Sequence, residues 1–210
     1  MILYLSIVFG SMTLICVLNI FCGQSTMDNY AHYIIGAVVM SVAVEIAISG
    51  LGALICSRIP NNLFSPDKKL FTVSKKEQRF YEKLGIKRWK DKIWELGGLG
   101  GFRKNKLNDA NNSEYLYRFI IESNKGMVGH ILNIFTGFLV IFVIPMEYVW
   151  RISVPVALVG ALLNFLPILV LRYNLPKLNI AYKRASRLEA RAREIERMED
   201  EDEEERIQNA

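Results

Sequence analysis

Residues 121–133 read IESNKGMVGHILN, and they lie where a long basic segment gives way to a membrane-length apolar run. On a helix, Glu122, Lys125, Gly126, Gly129, His130 and Asn133 fall at i, i+3, i+4, i+7, i+8 and i+11 and share one stripe. The other side is Ile120, Ile121, Met127, Val128, Ile131 and Leu132, apolar enough to meet lipid. His130 is one of two histidines in the chain. A polar stripe carrying a titratable imidazole at a membrane boundary is where chemistry is expected.

The apolar run it opens is one of four. Half of the 210 residues are apolar, which fits a large soluble domain or a small membrane protein, and their distribution decides between the two. Residues 1–22 carry no charged side chain, 34–56 only Glu45, and 128–144 and 152–171 no Asp, Glu, Lys or Arg. Each run approaches or exceeds the roughly 20 residues that cross about 30 Å of hydrocarbon as helix, with 128–144 the shortest. The first lacks the basic start of a secretory signal and reads as a span. Cys16, Cys22 and Cys56 sit in apolar runs without metal-ligand spacing, and read as small buried hydrophobes rather than metal ligands.

Charge sets the orientation. Residues 57–127 hold 16 Lys/Arg against 8 Asp/Glu, and the chain from Arg172 adds 9 Lys/Arg. The other two connections, 23–33 and 145–151, hold one Arg between them. The positive-inside rule therefore predicts a multi-pass cell-membrane protein with both termini cytoplasmic. The basic excess belongs to topology and lipid headgroups, and with no nucleic-acid motif present a nucleic-acid partner is not expected. The expected fold is all-α integral membrane, with about four transmembrane helices, an interfacial amphipathic helical loop and a charged C-terminal helix or tail. It divides into an N-terminal hairpin (1–56), a basic interfacial loop (57–127), a second transmembrane pair (128–178) and a tail (179–210).

Within this frame, Glu45 stands near the middle of its span, where insertion of a charge costs about 3 kcal/mol. A neutral carboxyl bonded to a neighbouring helix and a functional acid are both consistent with that position. Gly36, Gly50 and Gly52 predict close helix approach. Residues 57–69, with two prolines, read as irregular. Ser74 and Glu77 have capping-box spacing, Phe80 and Leu84 share a face, and a second stripe runs Ile86, Trp89, Ile93, Leu96 beneath a basic face. Such helices anchor in the headgroup region, and their cations also suit a phosphorylated acyl carrier. The glycines of 97–101 lack the frame of a phosphate loop and read as a hinge. Residues 114–127 predict a helix leading into the third span. The fourth span ends with Asn164, Pro167, Arg172 and Pro176, unusual for a simple anchor because proline frees backbone groups. Beyond it a thin Leu188–Ala192–Ile195 stripe precedes seven consecutive acids at 199–205, expected to be disordered and repelled by an anionic leaflet.

Three blocks resemble the glycosyl-4,4'-diaponeurosporenoate acyltransferase family of carotenoid glycolipid synthesis. The first is Arg58, Ile59, Pro60 and Phe64, followed by Lys87–Ile93 (KRWKDKI). The second is Glu122, Lys125 and His130, and the third is Asn164, Pro167, Arg172, Tyr173, Asn174 and Pro176–Leu178. Met127 stands where the family pattern has a second acid, and Leu175 and Lys177 where it has Arg. The resemblance implies a membrane acyltransferase that takes an acyl group from a thioester (acyl-CoA or acyl carrier protein) to a membrane lipid acceptor. It implies His130 and Glu122 as catalytic residues and Arg172, Asn164, Lys125, Asn174, Arg58 and Trp89 as substrate contacts, with no cofactor.

The residues themselves allow the same chemistry. Transfer to a hydroxyl needs a base titrating near neutrality and donors for the tetrahedral oxyanion. His130 can be that base, and Asn133, Asn164 or Arg172 can donate. Glu122 lies eight residues from His130, about 12 Å along a straight helix, so a dyad requires a bend at Gly126 and Gly129. A non-catalytic scaffold, binding through the charged helix and tail, is the alternative. Convergence of His130, Asn164 and Arg172 on one cavity separates the two.

Overall fold

The computed structural model describes residues 2–22, 30–90, 93, 109 and 111–208. Most of the expected outer loop, the glycine hinge at 97–101 and Leu96 lie outside the described residues. In chain order the helices are α1 (Ile2–Cys22), α2 (Tyr30–Arg58), α3 (Lys75–Lys83), α4 (Ile86–Trp89), α5 (Ser113–Thr136), α6 (Met146–Tyr148) and α7 (Val154–Gln208). All regular structure among the described residues is helical, and four helices are long and apolar enough to cross a membrane. Phe9, Phe21, Ile46, Leu54, Phe135 and Phe142 remain exposed around them. That surface is an aggregation hazard in water and suits contact with acyl chains.

α5 and α7 form the spine. They run antiparallel because α5 continues into a 3-10 segment, Gly137–Phe142, and reverses at Pro145 before α6 and the π-turn Val149–Ser153. The third span is therefore longer than expected: it is one unbroken helix from Ser113, with no break at Gly126 or Gly129. The apolar side of the 121–133 stretch also differs from expectation. Ile120, Ile121 and Met127 are buried against Phe64, Phe71, Leu171 and Leu175. The segment after α2 folds back over them, with 3-10 turns at Asn61–Phe64 and Lys69–Phe71 inserting the two phenylalanines. α3 likewise buries Tyr81 and leaves Phe80 and Leu84 exposed.

Of the three glycines expected to bring helices together, only Gly52 does so. A Cβ there would collide with the Asn133 side chain, whereas Gly36 and Gly50 face open space. The tightest approach is at Gly160, where a Cβ would fall on the carboxyl of Glu45.

α7 passes through Pro167 and Pro176 and ends at Gln208 after 55 residues, roughly 80 Å at helical rise. Each proline forfeits one backbone hydrogen bond, while burial of Ile168, Leu171, Leu175 and Leu178 along α5 holds the rod in place. The expected loss of order from Glu199 is not found. Arg, Glu and Ala favour helix, and Glu189–Arg193 (3.9 Å) and Arg197–Glu201 (3.5 Å) form i,i+4 pairs. Glu189 also docks the rod: its carboxylate accepts from Ser113 N (2.6 Å) and Ser113 Oγ (2.5 Å) at the start of α5. Beside that point Leu188, and beyond it Ile195 and Met198, are exposed. Truncation before Glu199 should thus leave membrane yield and thermal midpoint unchanged, whereas Glu189→Ala should lower the midpoint. A thermal-shift comparison of the two variants checks this, and equal behaviour would show that the dock adds nothing.

Candidate active site

His130 lies on the face of α5 turned to α7, and its Nδ1 is 3.0 Å from Asn164 Oδ1. The amide orientation of Asn164 is fixed from behind, because Nδ2 donates to Gly160 O at 3.0 Å, one turn earlier on α7. With Oδ1 the atom facing the ring, Nδ1 must carry the proton, and Nε2 is the basic nitrogen. The depth of the pair follows from helical rise. From His130 to Phe142 is roughly 21 Å, six residues as α-helix and six as 3-10, and Ile152 to Asn164 is roughly 18 Å. The pair therefore lies roughly 20 Å from the hairpin turn along both helices.

Glu122 does not reach His130. On the straight α5 it pairs instead with Lys125 at 3.8 Å. Lys125 is largely buried, with Nζ 5.8 Å from the centroid of the Phe64 ring. Beside it Asn124, which is fully buried, donates from Nδ2 to Phe64 O at 2.8 Å and fastens the loop to α5. Asn124 lies off the polar stripe, and its signal was only an amide among apolar neighbours.

Arg172 stands two turns beyond Asn164 and is fully engaged by the protein. Nε and Nη2 hold Glu77 Oε1 (2.5 Å) and Oε2 (3.0 Å), Nη1 donates to Leu70 O (2.7 Å), and Nη2 also donates to Thr72 O (3.2 Å). Nη1 further faces Met127 Sδ at 3.9 Å, so all five guanidinium hydrogens have protein acceptors. The expected donation to a substrate phosphate would require breaking this fork. Ser74 caps α3 by accepting from Glu77 N at 3.1 Å, and the Glu77 carboxylate, which the Ser74 backbone N–H also faces, is shared with Arg172 and Tyr81. The Arg172 hydrogen bond holds the Glu77 carboxyl below its usual range, and burial followed by Glu77 pushes Tyr81 up to about 12. Met127 thus abuts a guanidinium whose carboxylate comes from Glu77.

The remaining expected contacts are dispersed. Lys90 Nζ meets Asn174 Oδ1 at 3.5 Å, and Trp89 packs at the cluster of Tyr81, Ile86, Leu169 and Val170 while donating to Leu84 O at 3.2 Å. Arg58 is exposed at the end of α2. Of the eight site residues expected from sequence, His130 meets Asn164 and Glu122 meets Lys125, and the other four lie apart. The joint convergence of His130, Asn164 and Arg172 is not present.

No curated protein and no solved structure matches the chain significantly. Residues 60–184, more than half of the 210, match the family described as glycosyl-4,4'-diaponeurosporenoate acyltransferase. The match begins after α2 and encloses both the His130–Asn164 pair and the Arg172 fork. On that span, the chain belongs to the glycosyl-4,4'-diaponeurosporenoate acyltransferase family.

Proposed function

We propose that the protein transfers a fatty acyl group from a thioester, acyl-CoA or acyl carrier protein, to a hydroxyl of a glycosylated carotenoid or other isoprenoid lipid. Family membership supports the acyltransferase role, and the His130–Asn164 hydrogen bond carries the assignment of the base. His130 Nε2 accepts the hydroxyl proton as the oxygen attacks the thioester carbonyl. The tetrahedral intermediate then collapses, the C–S bond breaks, and the proton leaves with the thiolate. Lys125 and the cations of the α3–α4 segment meet the phosphates of the donor, and the acyl chain stays in lipid. Incubation of membranes holding the wild-type chain with a labelled acyl thioester and a glycolipid should yield labelled ester. No product with any thioester donor would favour a scaffold, the reading supported by the separation of Arg172 from the His130–Asn164 pair and by exposed Leu188, Ile195 and Met198 on α7.

We infer that the reaction takes place at the cytoplasmic leaflet of the cell membrane, a reading supported by the charge count of residues 57–127. A cysteine introduced at Asn29 should react with an impermeant maleimide in intact cells, and cysteines at Asn111 or Gln208 should not. Labelling at Asn111 would invert the topology.

A further inference from the structure

We propose that Glu45 is a positioning residue for His130, supplying from α2 the counter-charge for the imidazolium formed when His130 takes up a proton. The inference rests on His130 as the base. Across the apolar runs 1–22, 34–56, 128–144 and 152–171, Glu45 is the one acidic side chain and His130 the one that can become a cation. The fold links these two, drawn from different helices, through α7: Glu45 lies at Gly137, seven residues from His130 on α5, and at Gly160, one turn from the Asn164 that holds the ring.

The Glu45 carboxyl lies on the Cα of Gly160, where any Cβ would collide with Oε1, Cδ and Oε2, and Oε1 is 3.7 Å from a Cβ built at Gly137 of α5. Gly160 is the residue whose carbonyl fixes the Asn164 amide, and Asn164 in turn holds the imidazole. Carboxyl, peptide, amide and ring therefore follow one another along a single turn of α7, roughly 6 Å of axis. The rest of this face of α2 is turned the same way. Ser49 O accepts from Asn133 Nδ2 at 3.4 Å, Gly52 lies against the Asn133 side chain, and Cys56 Sγ is 3.8 Å from a Cβ built at Gly129. Tyr4 from α1, Gly137 from α5 and Gly160 from α7 face Glu45. A charge within a span is unfavourable, and a carboxylate on the neighbouring helix offsets that penalty for the imidazolium. Residue 45 lies outside the family match of 60–184, so the site draws on a part of the chain that the match does not cover.

The test reads the imidazole directly. In the full chain carrying His32→Gln, His130 is the sole histidine, and its 15N resonances in lipid nanodiscs can be followed against pH. Adding Glu45→Gln should move the titration to lower pH by about one unit, the effect of losing a nearby opposite charge. A superimposable curve would overturn the proposal, whether or not acyl transfer is detected. The geometry is tested separately: Gly160→Ala should lower the thermal midpoint, and Glu45→Ala in the same chain should restore it. An undisturbed Gly160→Ala protein would remove the contact on which the argument stands. With activity in hand, Glu45→Gln should lower kcat, leave KM unchanged and displace the acid limb of the pH–rate profile. An inactive wild type would sink the acyltransferase reading while the 15N titration still decided the coupling.

Discussion

His130→Gln should lower the rate of acyl transfer by roughly 10²–10⁴-fold, the usual contribution of a positioned general base. Glutamine is close to histidine in length, and its amide can still donate to Asn164 Oδ1, which in the wild type lies 3.0 Å from the ring. It has no nitrogen basic enough to take the hydroxyl proton, so the change isolates proton transfer from packing. The protein should reach the membrane at wild-type yield, and substrate binding should be little altered, placing the loss in kcat. Asn164→Ala should produce a smaller loss, because the ring keeps its basicity but is free to adopt the other tautomer. The measurement is initial-rate acyl transfer at matched protein level in membranes, and full activity in His130→Gln would end the base assignment.

Arg172→Leu should destabilise the folded protein by about 3 kcal/mol, because it leaves the Glu77 carboxylate and the Leu70 and Thr72 carbonyls without their shared donor. Both charged side chains are mostly sheltered, with Arg172 18% and Glu77 26% exposed, which puts the pair nearer the buried than the surface limit. Arg172→Lys should recover part of the loss, since one ammonium cannot span the two carboxylate oxygens and two carbonyls. The effect should also depend on pH. The folded-state value of Glu77 lies below its unfolded value, so its stabilisation is complete above the unfolded value and disappears as pH falls through the folded one. The stability gap between wild type and Glu77→Gln should therefore narrow on acidification below pH about 4. Thermal denaturation in detergent at several pH values checks both statements. Wild-type stability in Arg172→Leu, together with weakened donor binding, would return Arg172 to substrate recognition.

Four spans are legible from long apolar runs with a single charge among them, because the bilayer requires length and apolarity whatever the packing. What the runs hid was the loop-side architecture. Phe64 and Phe71 cover Ile121 and Met127, so a face that reads as lipid-contacting is interior core; an apolar side chain carries no mark of which apolar neighbour it will meet. The site was half legible. His130 and Asn164 were singled out as unusual polar residues in spans, but their pairing depends on the antiparallel register of α5 and α7. Glu77 was read only as a cap residue, since its partner Arg172 is 95 residues away. Glu45 stands out in the sequence as an acid within a span, and the glycines at positions 137 and 160 show where its carboxyl goes.

The continuous α7 rod also changes what the acidic cluster can sense. From Leu171 to Glu199 the helix rises about 42 Å, and a tilt near 20° shortens its height above the leaflet only to about 40 Å. The screening length at physiological ionic strength is about 8 Å, so Glu199–Asp202 stand some five screening lengths from the headgroups. Their charge is thus carried at a distance fixed by a continuous helix rather than by a loose tail.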